Sequence, residues 1–229
     1  YNIERTISRG DANMDGEVRR HAISVQAFKR MPYYLEYLKS LLNEGVATVS
    51  APNVAAHFNF SEIQVRKDFA SVSSSQGKPK QGFELRNLIK DIEEVLGYNN
   101  TDEAVLVGVG SLGRALMAYS GFEVYGLKIV AAFDTDENLV GSEVSGKKII
   151  HASRISDMCR RMNVHIGIIT VPALCAQTVC DQLVAGGVKA IWNFAPLHLS
   201  VPDNILVQNE NMAASLALLS RHLREQMKG

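Results

Sequence analysis

The sequence has few cysteines, no net charge and no long hydrophobic run, and each absence excludes a class of protein. Three cysteines, Cys159, Cys175 and Cys180, are too few and too irregularly spaced for a disulfide framework or a metal site. The 24 basic residues balance the 24 acidic ones, so the overall charge does not indicate a polyanion partner. No apolar run approaches the roughly 20 residues of a membrane span, and no signal peptide is apparent. We therefore expect a cytoplasmic protein with reduced thiols, no metal and no membrane partner.

Basic residues are concentrated in the N-terminal part of the chain in spite of the overall balance. Residues 17–82 contain nine lysines and arginines against five aspartates and glutamates, a local excess of four positive charges. This excess is a modest indication of a polyanion partner for that part. The length of 229 residues and the hydrophobic content of 46% suit two small domains. Residues 1–16 are polar and aperiodic, and we expect a tail with little order there.

The most informative stretch, residues 103–134, has the pattern of a strand, a glycine turn, a helix and a second strand. A short apolar run at 104–108 leads into the turn, and a second apolar run ends at Asp134. This order is the dinucleotide-binding fingerprint of a Rossmann βαβ unit. The cofactor-binding candidates in the turn are Gly108, Val109, Gly110, Ser111, Leu112 and Gly113.

The three glycines and the acid each have a physical role in such a unit. Gly108 permits a tight turn after the strand, and Gly110 lets the backbone approach a pyrophosphate at the positive end of the helix. Gly113 allows the helix to pack closely on the sheet. Asp134 is spaced to accept hydrogen bonds from both ribose hydroxyls, which favours NADH and NAD+ over their 2′-phosphorylated counterparts. The alternative is a domain of the same fold whose glycines serve packing alone.

Two further turns are expected on the same rim of the sheet, because ligands bind beyond the carboxyl ends of parallel strands. A strand at 163–170 ends in Thr170-Val171-Pro172, and a strand at 188–192 is followed by Asn193-Phe194-Ala195-Pro196. Both turns are candidates for the nicotinamide end of the site, although a simple strand stop is an equal alternative for the first. His165 lies in the first of these strands, where we expect a core histidine.

The N-terminal part follows a helix-turn-helix pattern. We expect a helix at 17–30 that Pro32 separates from the next one. A short helix at 52–58 precedes a helix at 62–72, which Ser61 is placed to cap through a capping box. Helix, tight turn and helix in this order are typical of DNA-binding domains.

The helix at 62–72 has one apolar and one polar face. Val65, Phe69 and Val72 share the apolar stripe and are expected to pack inward. The opposite side carries amide, basic and hydroxyl groups, which hydrogen-bond base edges and phosphates, and the loop after it has the size of a basic wing. Taken alone, a solvated helix face and a flexible linker are the more common explanations. The DNA-binding candidates are Ser61, Gln64, Arg66, Lys67, Ser71, Lys78 and Lys80.

Two more helices complete the expected organisation. An amphipathic helix at 84–96 is expected to join the two domains, and the helix at 211–228 carries apolar residues around nearly its whole circumference. A helix of the second kind must be buried, either in its own domain or in a partner, and we favour self-association. The expected domains are a tail at 1–16, a winged helix at 17–83, a Rossmann domain at 84–207 and a dimerisation helix at 208–229.

The combined pattern resembles the Rex family of redox-sensing transcriptional repressors. The resemblance covers roughly residues 28–219 and rests on Gln64-Val65-Arg66-Lys67-Asp68, the glycine turn, Phe133-Asp134, Thr170-Val171-Pro172 and Asn193-Phe194-Ala195-Pro196. It implies an α/β protein with an N-terminal winged-helix DNA-binding domain, a Rossmann-like parallel-sheet domain and a C-terminal helix exchanged within a homodimer. It also implies operator DNA as the partner, NADH and NAD+ as cofactors, and release of the DNA when NADH rises relative to NAD+.

The resemblance adds two cofactor candidates and contains two departures. Tyr119 matches a family tyrosine near the nicotinamide, although a half-buried helix residue is an equal alternative. Residues 73–76 replace the aromatic-glycine part of the family wing. Asn211-Met212 stand where the family often has an acid-aromatic pair, so no charged contact between subunits is inherited. Met212 is the candidate to cover a nicotinamide ring from the partner subunit.

Two other functions fit parts of the pattern. An NAD-dependent oxidoreductase needs a general acid near the nicotinamide, and His198 is the one plausible candidate, but the helical N-terminal part offers no substrate pocket. A CoA-binding or other nucleotide-binding module shares the topology, but Asp134 would repel the ribose phosphate of CoA. We therefore expect no catalytic residues and favour a repressor.

Overall fold

The computed structural model describes residues 23–74, 82–100 and 102–228. The chain divides into two compact units, with the boundary after Asn100. The expected tail at 1–16 and the two wing lysines, Lys78 and Lys80, lie outside the described residues. In the part of the chain that is described, no helix is long and apolar enough to cross a membrane.

The first unit opens with helix α1, Val25–Asn43, which continues through Pro32. The side chain of Ser24 caps its start by accepting a hydrogen bond of 3.1 Å from the Ala27 N–H. The expected interruption at Pro32 is therefore wrong. A proline inside a helix costs about 3 kcal/mol. Met31, Tyr34 and Leu38 are fully buried on one face. Burial of such side chains contributes about 1.5–3 kcal/mol each, which outweighs that cost.

A helix-turn-helix follows α1. Ser50 caps its first helix, and Asn59 ends that helix with a left-handed backbone at a φ of 54°. The capping box expected at Ser61 is wrong, because the Ser61 side chain makes no cap hydrogen bond. The elements after α1 are β1 Thr48–Val49, α2 Ala51–Phe58, α3 Glu62–Val72, β2 Phe83–Glu84 and α4 Leu85–Leu96.

Helix α4 belongs to the core of the first unit. Its side chains Leu85, Leu88 and Ile92 are fully buried in one cluster with Tyr34 and Phe69. From the sequence we expect this helix to join the two domains and to begin the second one. A single apolar stripe shows that a helix packs against a surface, but it does not show which domain provides that surface. The structure instead packs α4 on α1 and α3, as expected for a helix that needs a partner for its apolar face.

A two-stranded antiparallel sheet of β1 and β2 closes the first unit. Val49 pairs with Phe83, and Gly82 immediately precedes the second strand. Gly82 has a φ of +74°, and a Cβ there would lie 2.3 Å from the Val49 carbonyl oxygen. The close approach of the two strands therefore requires glycine at this position.

The second unit alternates strands and helices. Gly97 ends α4 before it, with a left-handed backbone at a φ of 74°. The elements in chain order are β3 Asp102–Val107, α5 Ser111–Ala118, α6 Gly121–Val124, β4 Leu127–Asp134, β5 Glu143–Val144, β6 Lys147–His151, a short 3-10 helix Ala152–Arg154, α7 Ile155–Met162, β7 Ile166–Ile169, α8 Ala173–Ala185, β8 Ala190–Asn193, β9 Leu206–Asn209 and α9 Met212–Gln226.

The strands form one sheet in the order β5-β6-β4-β3-β7-β8-β9. From β6 to β9 all neighbours are parallel, whereas β5 pairs with β6 in the antiparallel direction. This is the doubly wound order of a Rossmann domain, which confirms the expected fold. The strand order reverses between β3 and β7, and such a switch point opens a crevice beyond the carboxyl ends of the two strands.

The sheet is buried on both faces, because alternate residues of each strand point in opposite directions. Val105 and Val107 of β3 pack in one cluster with α7 and α8, while Ala104 and Leu106 pack in another with α5. The first cluster contains two free thiols. Burial raises the pKa of Cys159 to about 11. The pKa of Cys180 is also raised to about 11, first by burial and then by the negative charge of the neighbouring Asp181.

Helix α9 ends the described chain with no buried residue. Its large apolar side chains are all more than half exposed: Met212, Leu216, Leu218, Leu219 and Leu223. The alternative in which this helix fills a cleft of its own domain is therefore wrong. Large apolar surfaces of this kind mark contact sites for another molecule.

Candidate dinucleotide site and nucleic-acid interface

Two glycines of the turn after β3 are enclosed by the chain itself. Gly108 has a φ of +101°, and a Cβ there would lie 2.9 Å from Val171 Cγ1 and 3.0 Å from the Thr170 carbonyl oxygen. Gly113 is tighter still, since a Cβ would lie 2.0 Å from the Gly108 carbonyl oxygen. The turn and the helix after it therefore pack backbone against backbone, as expected for these two positions.

Gly110 differs from its neighbours because it faces open space. A Cβ at this position would have no atom within 4 Å in the part of the chain that the structure describes, and Gly110 and Ser111 are both exposed. Helix α5 begins immediately afterwards, and no side chain caps its first turn. An uncapped helix start presents backbone N–H groups and a partial positive charge. The half-buried Leu112 completes the turn beside this opening. The chain thus leaves a cradle into which an anionic group fits.

Asp134 lies at the carboxyl end of β4 and faces the glycine turn. Its Oδ2 accepts a hydrogen bond of 2.6 Å from the Val109 N–H, and its Oδ1 accepts one of 3.0 Å from the Asp136 N–H. The carboxylate is only partly buried. Each carboxylate oxygen has two lone pairs, so acceptor capacity remains for a ligand hydroxyl. Asp134 therefore holds the turn in place while it still presents an acceptor at the rim.

Thr170-Val171-Pro172 contact the glycine turn from the neighbouring strand β7. The Thr170 hydroxyl lies 2.7 Å from the Gly108 carbonyl oxygen and 3.0 Å from that of Val107. Val171 is half-buried against Gly108, while Pro172 is exposed at the start of α8. The segment is thus more than a strand stop, because its side chains support the turn on the opposite side of the crevice.

Asn193 is a fully buried residue at the end of β8. Its amide nitrogen donates to the carbonyl oxygens of Ala195 and Leu197 and to Oδ1 of Asn209, and its own Oδ1 accepts from the Ala195 N–H. The side chain is 0% exposed and its polar atoms are used within the chain. Asn193 therefore shapes the turn that carries Phe194, rather than presenting its amide at the surface.

Four aromatic rings run in sequence from the end of α5 to the rim of β8. Tyr119 meets Phe122 edge to face at 4.9 Å between centroids, and Phe122 meets Trp192 at 5.6 Å. Trp192 lies 4.9 Å from Phe194, which follows the strand. We call these four rings the aromatic row. Tyr119 is 51% exposed at one end, so the row is a continuous apolar surface with an open edge.

The remaining candidates lie apart from this cluster. Met212 is 62% exposed at the start of α9 and packs against none of the three apolar clusters of the described residues. The expected core position of His165 is wrong, because the residue is exposed just before β7. His198 is exposed after the Asn193 turn. Among the described residues, no group of three or more histidines, cysteines or acids is placed to hold a metal.

Helix α3 presents the polar face that the sequence indicates. Val65, Phe69 and Val72 are buried, which confirms the inward stripe. Lys67 and Arg66 are exposed, and Arg66 forms an ion pair with Glu62 one turn earlier. Ser61 is exposed, Gln64 is half-buried, and the half-buried Ser71 donates its hydroxyl to the Asp68 carbonyl oxygen. The predicted DNA-binding face of α3 is therefore accessible, with Lys67 exposed and Arg66 paired with Glu62.

Two buried acids in the first unit have functions that the sequence did not reveal. Asp68 of α3 accepts hydrogen bonds from Arg30 and Tyr34 of α1, and its side chain is 5% exposed. Asp91 of α4 accepts from both the N–H and the hydroxyl of Ser74, at 2.8 Å and 2.9 Å. Charged residues at otherwise apolar helix positions were the available signal, because such residues are rarely buried without partners.

The fold and the sites define a class of protein: a nucleic-acid-binding helix-turn-helix unit joined in one chain to a Rossmann dinucleotide-binding unit. Two family profiles match in the same order. One described as a putative DNA-binding protein N-terminus covers residues 22–70, and one described as a CoA binding domain covers residues 99–197.

Curated relatives that match most of the chain identify the family to which both parts belong. A redox-sensing transcriptional repressor Rex from Bacteroides fragilis is 41% identical over 195 residues, which are 85% of this chain and 88% of that protein. A Rex repressor from Porphyromonas gingivalis is 35% identical over 220 residues, 96% of this chain and 98% of the relative. The chain belongs to the Rex family of redox-sensing transcriptional repressors.

Solved structures of one family member share the architecture. RSP, a Rex-family repressor crystallised with β-NAD+ and operator DNA, has a TM-score of 0.84 and 30% identity, and the match covers 90% of this chain and 94% of that one. RSP crystallised with β-NADH has a TM-score of 0.78 and 29% identity, over 90% and 96% of the two chains. The curated relatives are named as repressors rather than as enzymes.

Proposed function

We propose that this chain represses transcription by binding operator DNA as a homodimer and releases the DNA when NADH rises relative to NAD+. The observation that carries the proposal is the open cradle at Gly110, which lies at the switch point of a Rossmann sheet in a chain that also presents a basic recognition helix. A repressor acts where the chromosome is, so the cytoplasm is the proposed compartment. No catalytic role is proposed for any residue.

The residues of the rim fit a dinucleotide. The backbone at Gly110 and Ser111 would hold the pyrophosphate, because an uncapped helix start favours anions. The free acceptor capacity of Asp134 would receive the ribose hydroxyls, and its negative charge disfavours a 2′-phosphate. Thr170 and Val171 keep the turn in the geometry that this requires.

The aromatic row supports a preference for the reduced cofactor. The oxidised nicotinamide carries a positive charge that the reduced ring lacks, which is the chemical difference a redox sensor must detect. An apolar surface that includes Phe194 and Tyr119 disfavours the charged ring, because burial removes its hydration. Met212 of a second chain is proposed to cover the same ring. The row is the proposed source of the difference in affinity between NADH and NAD+, and a ligand needs such a difference to shift a conformational equilibrium.

The exposed faces of α3 and α9 support the remaining parts of the proposal. Arg66 and Lys67 lie on the accessible side of α3, where basic side chains contact phosphates and base edges. Helix α9 leaves five large apolar side chains exposed, and a second copy of the chain is their proposed cover. A dimer also supplies two recognition helices at a fixed spacing, which two operator half-sites require.

A binding experiment separates the repressor from its alternatives. Duplexes are first enriched from a random-sequence pool by the full-length protein in the presence of NAD+. Gel retardation of the enriched duplex is then compared with no ligand, NAD+, NADH and CoA. The proposal expects release by NADH alone. Retention under every condition would contradict it, and so would release by CoA. Consumption of NADH with a panel of 2-oxo acids would instead favour an oxidoreductase.

A further inference from the structure

Asp68 connects the recognition helix to α1 through a closed set of hydrogen bonds. Its Oδ1 accepts from the Arg30 terminal nitrogen at 2.8 Å, and its Oδ2 accepts from Arg30 Nε at 2.8 Å and from the Tyr34 hydroxyl at 2.9 Å. The Asp68 side chain is 5% exposed and that of Arg30 is 20% exposed. Arg30 and Tyr34 lie one turn apart on α1, so two points of that helix hold one point of α3.

This contact restricts the recognition helix in ways that apolar packing does not. A bidentate pair between a guanidinium and a carboxylate has a planar, directional geometry. The inward stripe of Val65, Phe69 and Val72 supplies burial, but apolar contact is not directional. The bidentate pair between Arg30 and Asp68 therefore restricts both the rotation of α3 about its own axis and its position along that axis. The hydrogen bond with Asp68 also raises the pKa of Arg30, so the guanidinium stays charged.

The position of Asp68 in the sequence makes this restriction relevant to DNA. Asp68 directly follows Lys67 and comes one turn after Gln64. Lys67 is exposed to solvent, and Gln64 is half-buried at the edge of the exposed face of α3. Bidentate contacts with base edges need donors and acceptors to be placed within fractions of an ångström. Contacts with phosphates tolerate displacement, because lysine is a flexible point charge.

We propose that Asp68, held by Arg30 and Tyr34, is a positioning residue that sets the sequence specificity of DNA binding without contacting DNA. This inference rests on the proposed function of the chain as a DNA-binding repressor. Loss of the Asp68 carboxylate lets α3 shift, which weakens base contacts. It also removes one negative charge from the DNA-binding unit, which strengthens attraction to phosphates. Specific and non-specific affinity are therefore expected to change in opposite directions.

The test compares full-length Asp68→Asn with two other variants by gel retardation. One probe is the duplex enriched from the random pool by the wild type, and the second is a scrambled duplex of the same composition. Tyr34→Phe removes one hydrogen bond without a change of charge. Glu36→Gln removes an exposed carboxylate of α1 and is the charge-matched control. Circular dichroism and thermal unfolding check the fold of each variant.

We expect Asp68→Asn to bind the enriched duplex at least 10-fold more weakly and the scrambled duplex equally or more tightly. Tyr34→Phe should lower the ratio of the two affinities 2-fold to 5-fold, and Glu36→Gln should leave the ratio unchanged. An unchanged ratio in both Asp68→Asn and Tyr34→Phe would overturn the inference. If Asp68→Asn does not fold, the ratio of the two affinities in Tyr34→Phe alone tests the inference, and an unchanged ratio there would overturn it. A wild type that enriches no duplex would overturn the proposed function, and this inference with it.

Discussion

Replacement of Gly110 by alanine tests the dinucleotide site without disturbing the protein around it. The backbone of Gly110 has a φ of −72° and a ψ of −167°, an extended conformation that alanine adopts readily. The added Cβ meets no atom of the described residues within 4 Å. Gly110 is the N-cap residue of α5, beside which the pyrophosphate is proposed to lie, so we expect the added methyl group to crowd the ligand. The variant therefore perturbs the ligand and spares the fold.

The expected magnitudes differ for stability and for binding. Alanine at a compatible backbone position stabilises by about 0.4–1 kcal/mol through the unfolded state. It is a poorer N-cap than glycine by a comparable amount, so the free energy of unfolding should change by less than about 1 kcal/mol. Displacing the pyrophosphate loses at least one charge-assisted hydrogen bond, which is worth about 1.5–3 kcal/mol. The affinity for NADH should therefore fall roughly 10-fold to 150-fold.

The assay combines fluorescence titration with NADH and thermal unfolding without ligand. Gly113→Ala is the matched comparison, because its Cβ would lie 2.0 Å from the Gly108 carbonyl oxygen and must displace α5. Gly113→Ala should lose both stability and NADH binding, whereas Gly110→Ala should lose binding alone. A Gly110→Ala protein that binds NADH as tightly as the wild type would refute the proposed cradle.

Four further outcomes follow from the same structure. Asp134→Ala should weaken NADH binding in a fluorescence titration and also lower the melting temperature, because the Val109 N–H loses its acceptor. Lys67→Ala should weaken retardation of the enriched duplex by about 1–3 kcal/mol if the side chain reads a base, with NADH binding unchanged. Deletion of residues 211–229 should convert the dimer to a monomer in light scattering and abolish specific DNA binding, although no base contact is proposed there. Thiol labelling of the native protein near pH 8 should modify Cys175 alone, because it is exposed while the other two thiols are buried and have raised pKa values.

The features that the sequence predicted well are those set by neighbours in the chain. The glycine turn and Asp134 lie within one βαβ unit, where backbone sterics at Gly108 and Gly113 determine both the residues and the geometry. Helix α3 has the expected bounds, 62–72, because a tight turn at the left-handed Asn59 separates it from α2. Local rules of capping and turn formation are sufficient for such elements.

The features that the sequence missed depend on distant partners. Asp68 and Arg30 are 38 residues apart, so their pairing is visible only once α1 and α3 are packed together. Pro32 stays inside α1 because the core surrounds Met31 and Tyr34, which no local rule for proline contains. The burial of Asn193 has the same origin, since one of its partners, Asn209, lies on the next strand of the sheet. Tertiary contacts override local preference at each of these positions.

The most direct measurement is the occupancy of the enriched duplex as the NADH to NAD+ ratio is varied at a constant total concentration of the two. The proposal predicts that the duplex stays bound at low ratio and is released in a saturable step as the ratio rises. In Gly110→Ala the same release should need roughly 10-fold to 150-fold more total dinucleotide. A duplex that stays bound at every ratio would contradict redox sensing. Release that depends only on the total dinucleotide concentration would contradict it equally, because the site would then not distinguish the reduced ring from the oxidised one.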